Sequence, residues 1–184
     1  QEHSEAQRVL IALLMLTGSG ADQAGEIVNQ LMRQGKQSGF LFSDSRELNF
    51  RVDLPVAQRR LLQPLLCALP VTDLKININS LTQEHALLLS ALADTPITSA
   101  DMQAFLAARP SAGWETTEAL TKSAIPAGIL QTIPAVEPLL STGSRFYELE
   151  IVADTGGPFT LRTWLSADLK GILVLGREYP PTLR

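Results

Sequence analysis

The hydrophobic pattern of the chain changes period once. Through the first two thirds, apolar residues recur at three- and four-residue spacing, as on helices. From Arg145 onward they alternate, as on strands. Val9, Leu10, Leu13, Leu14 and Leu16 form the first helical stripe, with Ser4 as its cap and Gly18 as its stop. Asp22 starts a second helix carrying Ile27, Val28, Leu31 and Met32, and Gly35 is its expected end. Residues 36–39 read as a polar loop, and Ser43 or Asp44 as the cap of a short turn containing Leu48. Asp53 followed by Pro55 predicts a third helix, because proline fits a first turn. That helix carries Leu61, Leu62, Leu65 and Leu66, is kinked or loosened by Pro64, and closes at Leu69-Pro70.

The segment LKININSL, residues 74–81, stands apart. Leu74, Ile76 and Ile78 alternate with Lys75, Asn77 and Asn79, so an extended strand would put the isoleucines on one face and the asparagines on the other. Asparagine is a poor strand former and a good local hydrogen-bonder. We expect an extended piece docked between helical units. Beyond it, Thr82 caps a helix over 83–93, and Asp94, Thr95 and Pro96 break that helix. Thr98 or Ser99 caps another over 101–108, with Met102, Phe105 and Leu106 on its stripe, ended by Arg109-Pro110. Gly113-Trp114 is a turn with a large apolar anchor, and Thr116 or Thr117 starts a short helix containing Leu120. Residues 124–140 hold Pro126, Pro134 and Pro138 and read as a packed connector.

Three strands complete the chain. Tyr147, Leu149 and Ile151 share a face opposite Glu148 and Glu150. Residues 154–157 make a hairpin loop; Phe159, Leu161, Thr163 and Leu165 continue the apolar face. After a turn at 168–171, a third strand spans Ile172 to Leu175. Such a sheet needs a cover on its apolar face, usually a helix. No helix here is an obvious cover, and residue 1 is Gln rather than Met, so the chain is expected to begin inside a longer protein.

The fold class is therefore α+β, in one domain or two small ones for 184 residues. Hydrophobic residues are 45% and charged residues 18%, which suits a packed chain rather than a disordered one. The net charge of −4 argues against a basic nucleic-acid-binding surface. No apolar run approaches the roughly 20 residues of a membrane span. Cys67 is the single cysteine, so no disulfide forms within the chain, and it reads as a small core residue.

Chemistry-bearing constellations are lacking. His3, His85 and Cys67 do not pair at metal-ligand spacing. The acidic stretches at 154–157 and 115–118 read as a plain turn and a helix start rather than calcium loops. There is no G-x-S-x-G elbow. Glu148 and Glu150 share a strand face that reads as solvated, and the Gly18–Gly20 GSG lacks the setting of a phosphate loop. The hairpin ADTPIT at 93–98 has no glycine nest for a backbone phosphate. We expect no catalytic, cofactor-binding or metal-ligating residue. The alternative reading is a helix-hairpin-helix-like nucleic-acid-binding module using Arg46, Arg51, Arg59 and Arg60, and a salt-dependent DNA affinity would favour it.

In this order the elements resemble the K-type minor pseudopilins of bacterial type II secretion systems. Four stretches carry the resemblance: FSDSRELNFRVDLPVAQRRLLQPLLCALP at 42–70, LKININSL at 74–81, AFLAARPSAGW at 104–114 and STGSRFYELEIVAD at 141–154. The resemblance implies a pilin-like domain with a helical insertion of two SAM-like units: 1–73, then 74–140 with its connector. Residues 141–184 would be the C-terminal strands of the pilin sheet, and an anchor helix and the first strands would precede residue 1. It implies a non-enzymatic subunit at the tip of a periplasmic pseudopilus, meeting I-type and J-type minor pseudopilins and helping to initiate or cap assembly. Its place would be the periplasm of a Gram-negative bacterium, anchored in the inner membrane. Some members carry calcium on an acidic loop; here the matching interval, residues 29–40, holds no acid, so no cofactor is expected. Phe146, Tyr147 and Trp164 are the candidate interface residues, with core packing as the alternative.

Overall fold

The computed structural model describes residues 4–38, 51–66, 74–123, 129, 136–154, 158–168 and 170–179. It is a mixed α+β structure, with helices first and a three-stranded antiparallel sheet last. Its contacts divide it into two compact units, Gln1–Thr142 and Gly143–Arg184.

In the helical unit, α1 spans Glu5–Leu16. The Ser4 hydroxyl accepts from the Gln7 N–H, and the Gln7 side chain accepts from the Ser4 N–H, so two orphan donors are satisfied reciprocally. Val9, Leu13 and Leu14 are its buried face. Helix α2, Ala21–Ser38, buries Ala24, Ile27, Val28 and Leu31, the spacing of one helical stripe. It runs past Gly35, where the sequence predicts a stop. A glycine terminates a helix by turning left-handed, and Gly35 stays helical, at a cost of about 1 kcal/mol relative to alanine.

Helix α3 is shorter than the sequence predicts. It begins after Pro55, spans Val56–Leu62, and gives way to a single 3-10 turn at Gln63–Leu65. An α-helical Pro64 would drive its ring into the carbonyl four residues back, so the coil tightens there and Leu66 is extended. Gln58, only 5% exposed, reaches from α3 to the end of α1. Its Nε2 lies 3.0 Å from Leu14 O, 3.0 Å from Thr17 Oγ1 and 2.8 Å from Ser19 Oγ. It thus ties α3 to the end of α1, joining the Ser19 N–H and the Thr17 hydroxyl at the Leu14 carbonyl and reaching the two hydroxyl oxygens beside it. The expected turn at Ser43, Asp44 and Leu48, the close at Leu69-Pro70, and Cys67 lie outside the described residues.

The segment at 74–81 departs from a continuous strand. Only β1, Ile76–Asn77, is paired; Ile78–Ser80 is a 3-10 turn. The cause is local: the Asn77 side chain accepts from the Asn79 N–H at 2.9 Å, which folds the chain back within two residues. Ile78 consequently enters the core while Ile76 is half-buried. A 3-10 turn at Gln83–His85 leads into α4, Ala86–Ala93, closed by Asp94 at φ +50°. Helix α5 spans Ser99–Ala108 and α6 spans Thr117–Thr121, capped by Thr98 and Thr116. Of the predicted connector, Ile129 and Val136 are buried and Glu137–Leu139 is a 3-10 turn. Then β2, Leu140–Ser141, pairs in parallel with β1. Helix α1 packs on both α2 and α4, so the core is continuous from the first helix into the segment that follows β1.

In the sheet unit, β3 (Phe146–Asp154), β4 (Pro158–Asp168) and β5 (Gly171–Glu178) form an antiparallel meander in the order β3-β4-β5. Tyr147 faces Leu165, Leu149 faces Thr163 and Ile151 faces Leu161 across the first pair. The second pair shifts register after Trp164: Trp164 faces Gly176 and Leu165 faces Val174, so the pairing skips Leu175.

Candidate functional site

Two features concentrate unusual chemistry, one in each unit. The first is a junction built on Asn79. Its amide nitrogen donates to Trp114 O at 3.0 Å and to Thr142 O at 2.9 Å, and its Oδ1 accepts from the Trp114 N–H at 2.9 Å. Both amide donors and one acceptor position are used, which fixes the orientation of the side chain. The Asn79 carbonyl accepts from Arg109 Nη1 at 2.8 Å, and the same nitrogen donates to Leu81 O at 3.0 Å. Four separated stretches of chain therefore meet at one residue: the turn after β1, the end of α5, the Gly113-Trp114 turn and the exit of β2.

Sequence dictates each partner. Gly113 has φ +80°, a conformation open to glycine and costly for other residues. A Cβ there would lie 2.8 Å from the Asn79 Cγ, so the close approach also requires glycine. Trp114 is buried, with its ring 5.0 Å from that of Phe105 and its Nε1 donating to Ser123 Oγ at 2.9 Å. The Thr142 hydroxyl donates to Glu115 O at 3.1 Å, and the Lys75 ammonium donates to Pro138 O. Amide, indole and guanidinium groups hold positions; none of them is suited to shuttle protons or attack a substrate at neutral pH. The sequence singles out Asn79, Arg109 and Gly113-Trp114 separately. Only the fold brings them together.

The second feature is the sheet. Its register separates the three candidate interface residues. Phe146 and Trp164 share one face with Glu148, Glu150 and Arg162, whereas Tyr147 lies on the other with Leu149, Ile151, Leu161 and Leu165. On the charged face Arg162 Nε lies 2.8 Å from Glu150 and 3.5 Å from Glu148. The Glu150 hydrogen bond, reinforced by the charges of Glu150, Glu148 and Glu178, raises the Arg162 pKa further above its ordinary value. Trp164 is half-buried and lies against Gly176, at 3.5 Å from where a Cβ would stand.

The opposite face is apolar and open. Tyr147 is 49% exposed and Ile172 is 74% exposed, with Leu149, Ile151, Phe159 and Val174 exposed between them. Phe159 and Tyr179 pair their rings at 5.6 Å. Among the described sheet residues Thr163 alone is buried. Ile172 and Val174 belong to this open face, a membership that follows from the register rather than from alternation along β5 alone.

The remaining candidates are dispersed. His85 Nδ1 accepts from the Thr82 N–H at 3.0 Å and so serves as a helix cap. Arg59 and Arg60 sit in the last turn of α3, and Arg46 lies outside the described residues. Among the described residues, no three His, Cys, Asp or Glu side chains are grouped so as to hold a metal ion. No described helix is long and apolar enough to cross a membrane.

Comparison with known proteins converges on one family. Residues 76–141 match the family model "Type II secretion system (T2SS), protein K". That match runs from the first residue of β1 to the last residue of β2, the segment closed by the parallel pair and by Asn79. The type II secretion system protein K of Aeromonas hydrophila is 33% identical over 117 residues, which is 64% of this chain and 33% of that protein. Its counterpart in Pectobacterium carotovorum subsp. carotovorum is 33% identical over 123 residues, 66% of this chain and 36% of that protein. The chain belongs to the type II secretion system protein K family. It spans about a third of the length of these relatives.

Proposed function

We propose that this chain is part of a non-enzymatic, structural subunit of a type II protein secretion machine, a minor pseudopilin at the tip of the periplasmic pseudopilus. There it helps to initiate or cap assembly together with I-type and J-type minor pseudopilins. The observation that carries this reading is the family match, which falls on a segment that the fold closes on itself at β1, β2 and Asn79. Residues 1–73 and 74–140 are then the two SAM-like units of the helical insertion, and 141–184 the last strands of a pilin-like sheet. The open apolar face of that sheet is what an anchor helix preceding residue 1 would cover, and burial of such a face is strongly favourable. The subunit is held at the inner membrane by that helix and works in the periplasm.

Phe146, Tyr147 and Trp164 are the proposed interface residues. Because they occupy two faces, photo-crosslinking separates their roles. A photoreactive phenylalanine analogue is placed at each position in turn, in the full-length protein, in cells assembling the machine. Crosslinks to an I-type or J-type pseudopilin from Phe146 or Trp164 are expected, on the face that the anchor helix leaves free. Absence of such crosslinks from all three positions would contradict the assignment.

A further inference from the structure

The turn that starts α4 is capped in a way that only an uncharged histidine allows, whatever the secretion reading. The Thr82 N–H donates to His85 Nδ1 at 3.0 Å, and the Thr82 hydroxyl oxygen lies 2.9 Å from the same nitrogen. A backbone N–H can only donate, so Nδ1 must offer a lone pair and the ring proton sits on Nε2. This is the reciprocal arm of a capping box, where glutamate or glutamine usually stands three residues after the cap. A glutamine acceptor is indifferent to pH; an imidazole is not. A protonated Nδ1 can turn its hydrogen to the Thr82 hydroxyl oxygen, but the Thr82 N–H is then left against a second donor. The same turn, Gln83–His85, ties α4 to α5: Gln83 Nε2 donates to Ser99 O and to Ser99 Oγ, each at 2.8 Å. Helices α4 and α5 pack on the turn. Helix α4 holds no charged side chain, and α5 holds Asp101, whose carboxylate is engaged by the Thr98 hydroxyl and N–H. Glu84 is exposed beside His85 in the turn, where water screens its pull on an imidazolium. Arg109, at the end of α5, donates to Leu81 O, on the opposite edge of the peptide whose N–H His85 receives, and its charge disfavours a second one there.

We propose that His85 is a pH-sensitive latch at the starts of α4 and α5, closed while its imidazole is neutral and open once it is protonated. Histidine in solution titrates near about pH 6.5, so acidification through that range releases the Thr82 N–H, frees the turn at 83–85 and loosens the Gln83–Ser99 tie. The latch holds above the histidine range and is lost as pH falls through it, because only the neutral ring is bonded in the folded chain.

The 184-residue chain is followed by NMR from about pH 8 to about pH 5, a range that spans histidine titration. Imidazole nitrogen shifts report the His85 tautomer. Solvent-exchange rates, corrected for the intrinsic rate at each pH, report the Thr82 amide. Nδ1 is expected to be the bare nitrogen at the alkaline end, and protection of the Thr82 N–H should fall about 5-fold as His85 titrates, the scale of one helix cap. His85→Gln supplies an acceptor that does not titrate, so its Thr82 protection should stay level across the same range. A proton on Nδ1 at the alkaline end, unchanged Thr82 protection in the parent chain, or an equal fall in His85→Gln would each overturn the proposal.

Discussion

Asn79 satisfies three backbone groups on two chain segments with one side chain, and its cost of removal follows from what it leaves behind. Asn79→Ala strands the Trp114 N–H and the Trp114 and Thr142 carbonyls in a part-buried site. Orphaned groups of this kind cost about 1–3 kcal/mol each, softened where water reaches them. The variant should lose roughly 2–4 kcal/mol in urea unfolding of the helical unit. Gly113→Ala should also destabilise, by about 1–3 kcal/mol, from its φ of +80° and from the approach of its Cβ to Asn79 Cγ. In the double variant the clash disappears but the backbone strain remains, so the combined loss should fall short of the sum of the two single losses. Strict additivity in that cycle would show that the two residues do not meet. Sequence makes both residues conspicuous, as an asparagine in a strand-like run and a glycine before a buried tryptophan. It cannot show that they touch, because 34 positions separate them and the contact depends on the path of α4 and α5.

At the scale of elements, helix starts were more legible than helix ends. Ser4, Thr98 and Thr116 cap where local chemistry says they should, because a cap is decided within four residues. The ends of α2 and α3 were decided elsewhere. Gly35 continues its helix, and Pro64 shortens α3 instead of merely kinking it. The run at 74–81 alternates like a strand, yet the Asn77 side chain turns it after two residues. The Thr98–Asp101 cap also makes a pH prediction. The Thr98 hydroxyl, 2.7 Å from the Asp101 carboxylate, and then the Thr98 N–H hold that carboxyl below its usual range. A depressed carboxyl stabilises above its unfolded value, near about pH 4, and the benefit is lost as pH falls through the folded value. Thermal melts of Asp101→Asn should therefore lose less stability than the parent chain between neutral pH and pH 3. Identical pH profiles would assign the acid sensitivity to other groups. Thr98→Ala should cost about 1 kcal/mol at neutral pH, checked by the same melts.

For the whole molecule, the switch from helical to alternating pattern announced both the α+β architecture and a sheet without a cover. The structure has the first, and among the described residues of the sheet Tyr147, Leu149, Ile151, Ile172 and Val174 are exposed. Alternation assigned the two faces of β3 and β4, and the register agrees; β5 was harder, because the shift after Trp164 puts Val174 opposite Leu165 and leaves Leu175 out of register. Phe146, Tyr147 and Trp164 looked like one set in sequence and lie on two faces in the fold. On the proposed reading as an assembly subunit, the chain should gain mass when the proposed partners are present. The most direct measurement mixes this chain with the soluble domains of I-type and J-type minor pseudopilins and follows the mass by light scattering. A stable complex of one copy of each is the predicted result. The contradicting result is that all three remain monomeric, whether this chain is used by itself or within its full-length protein.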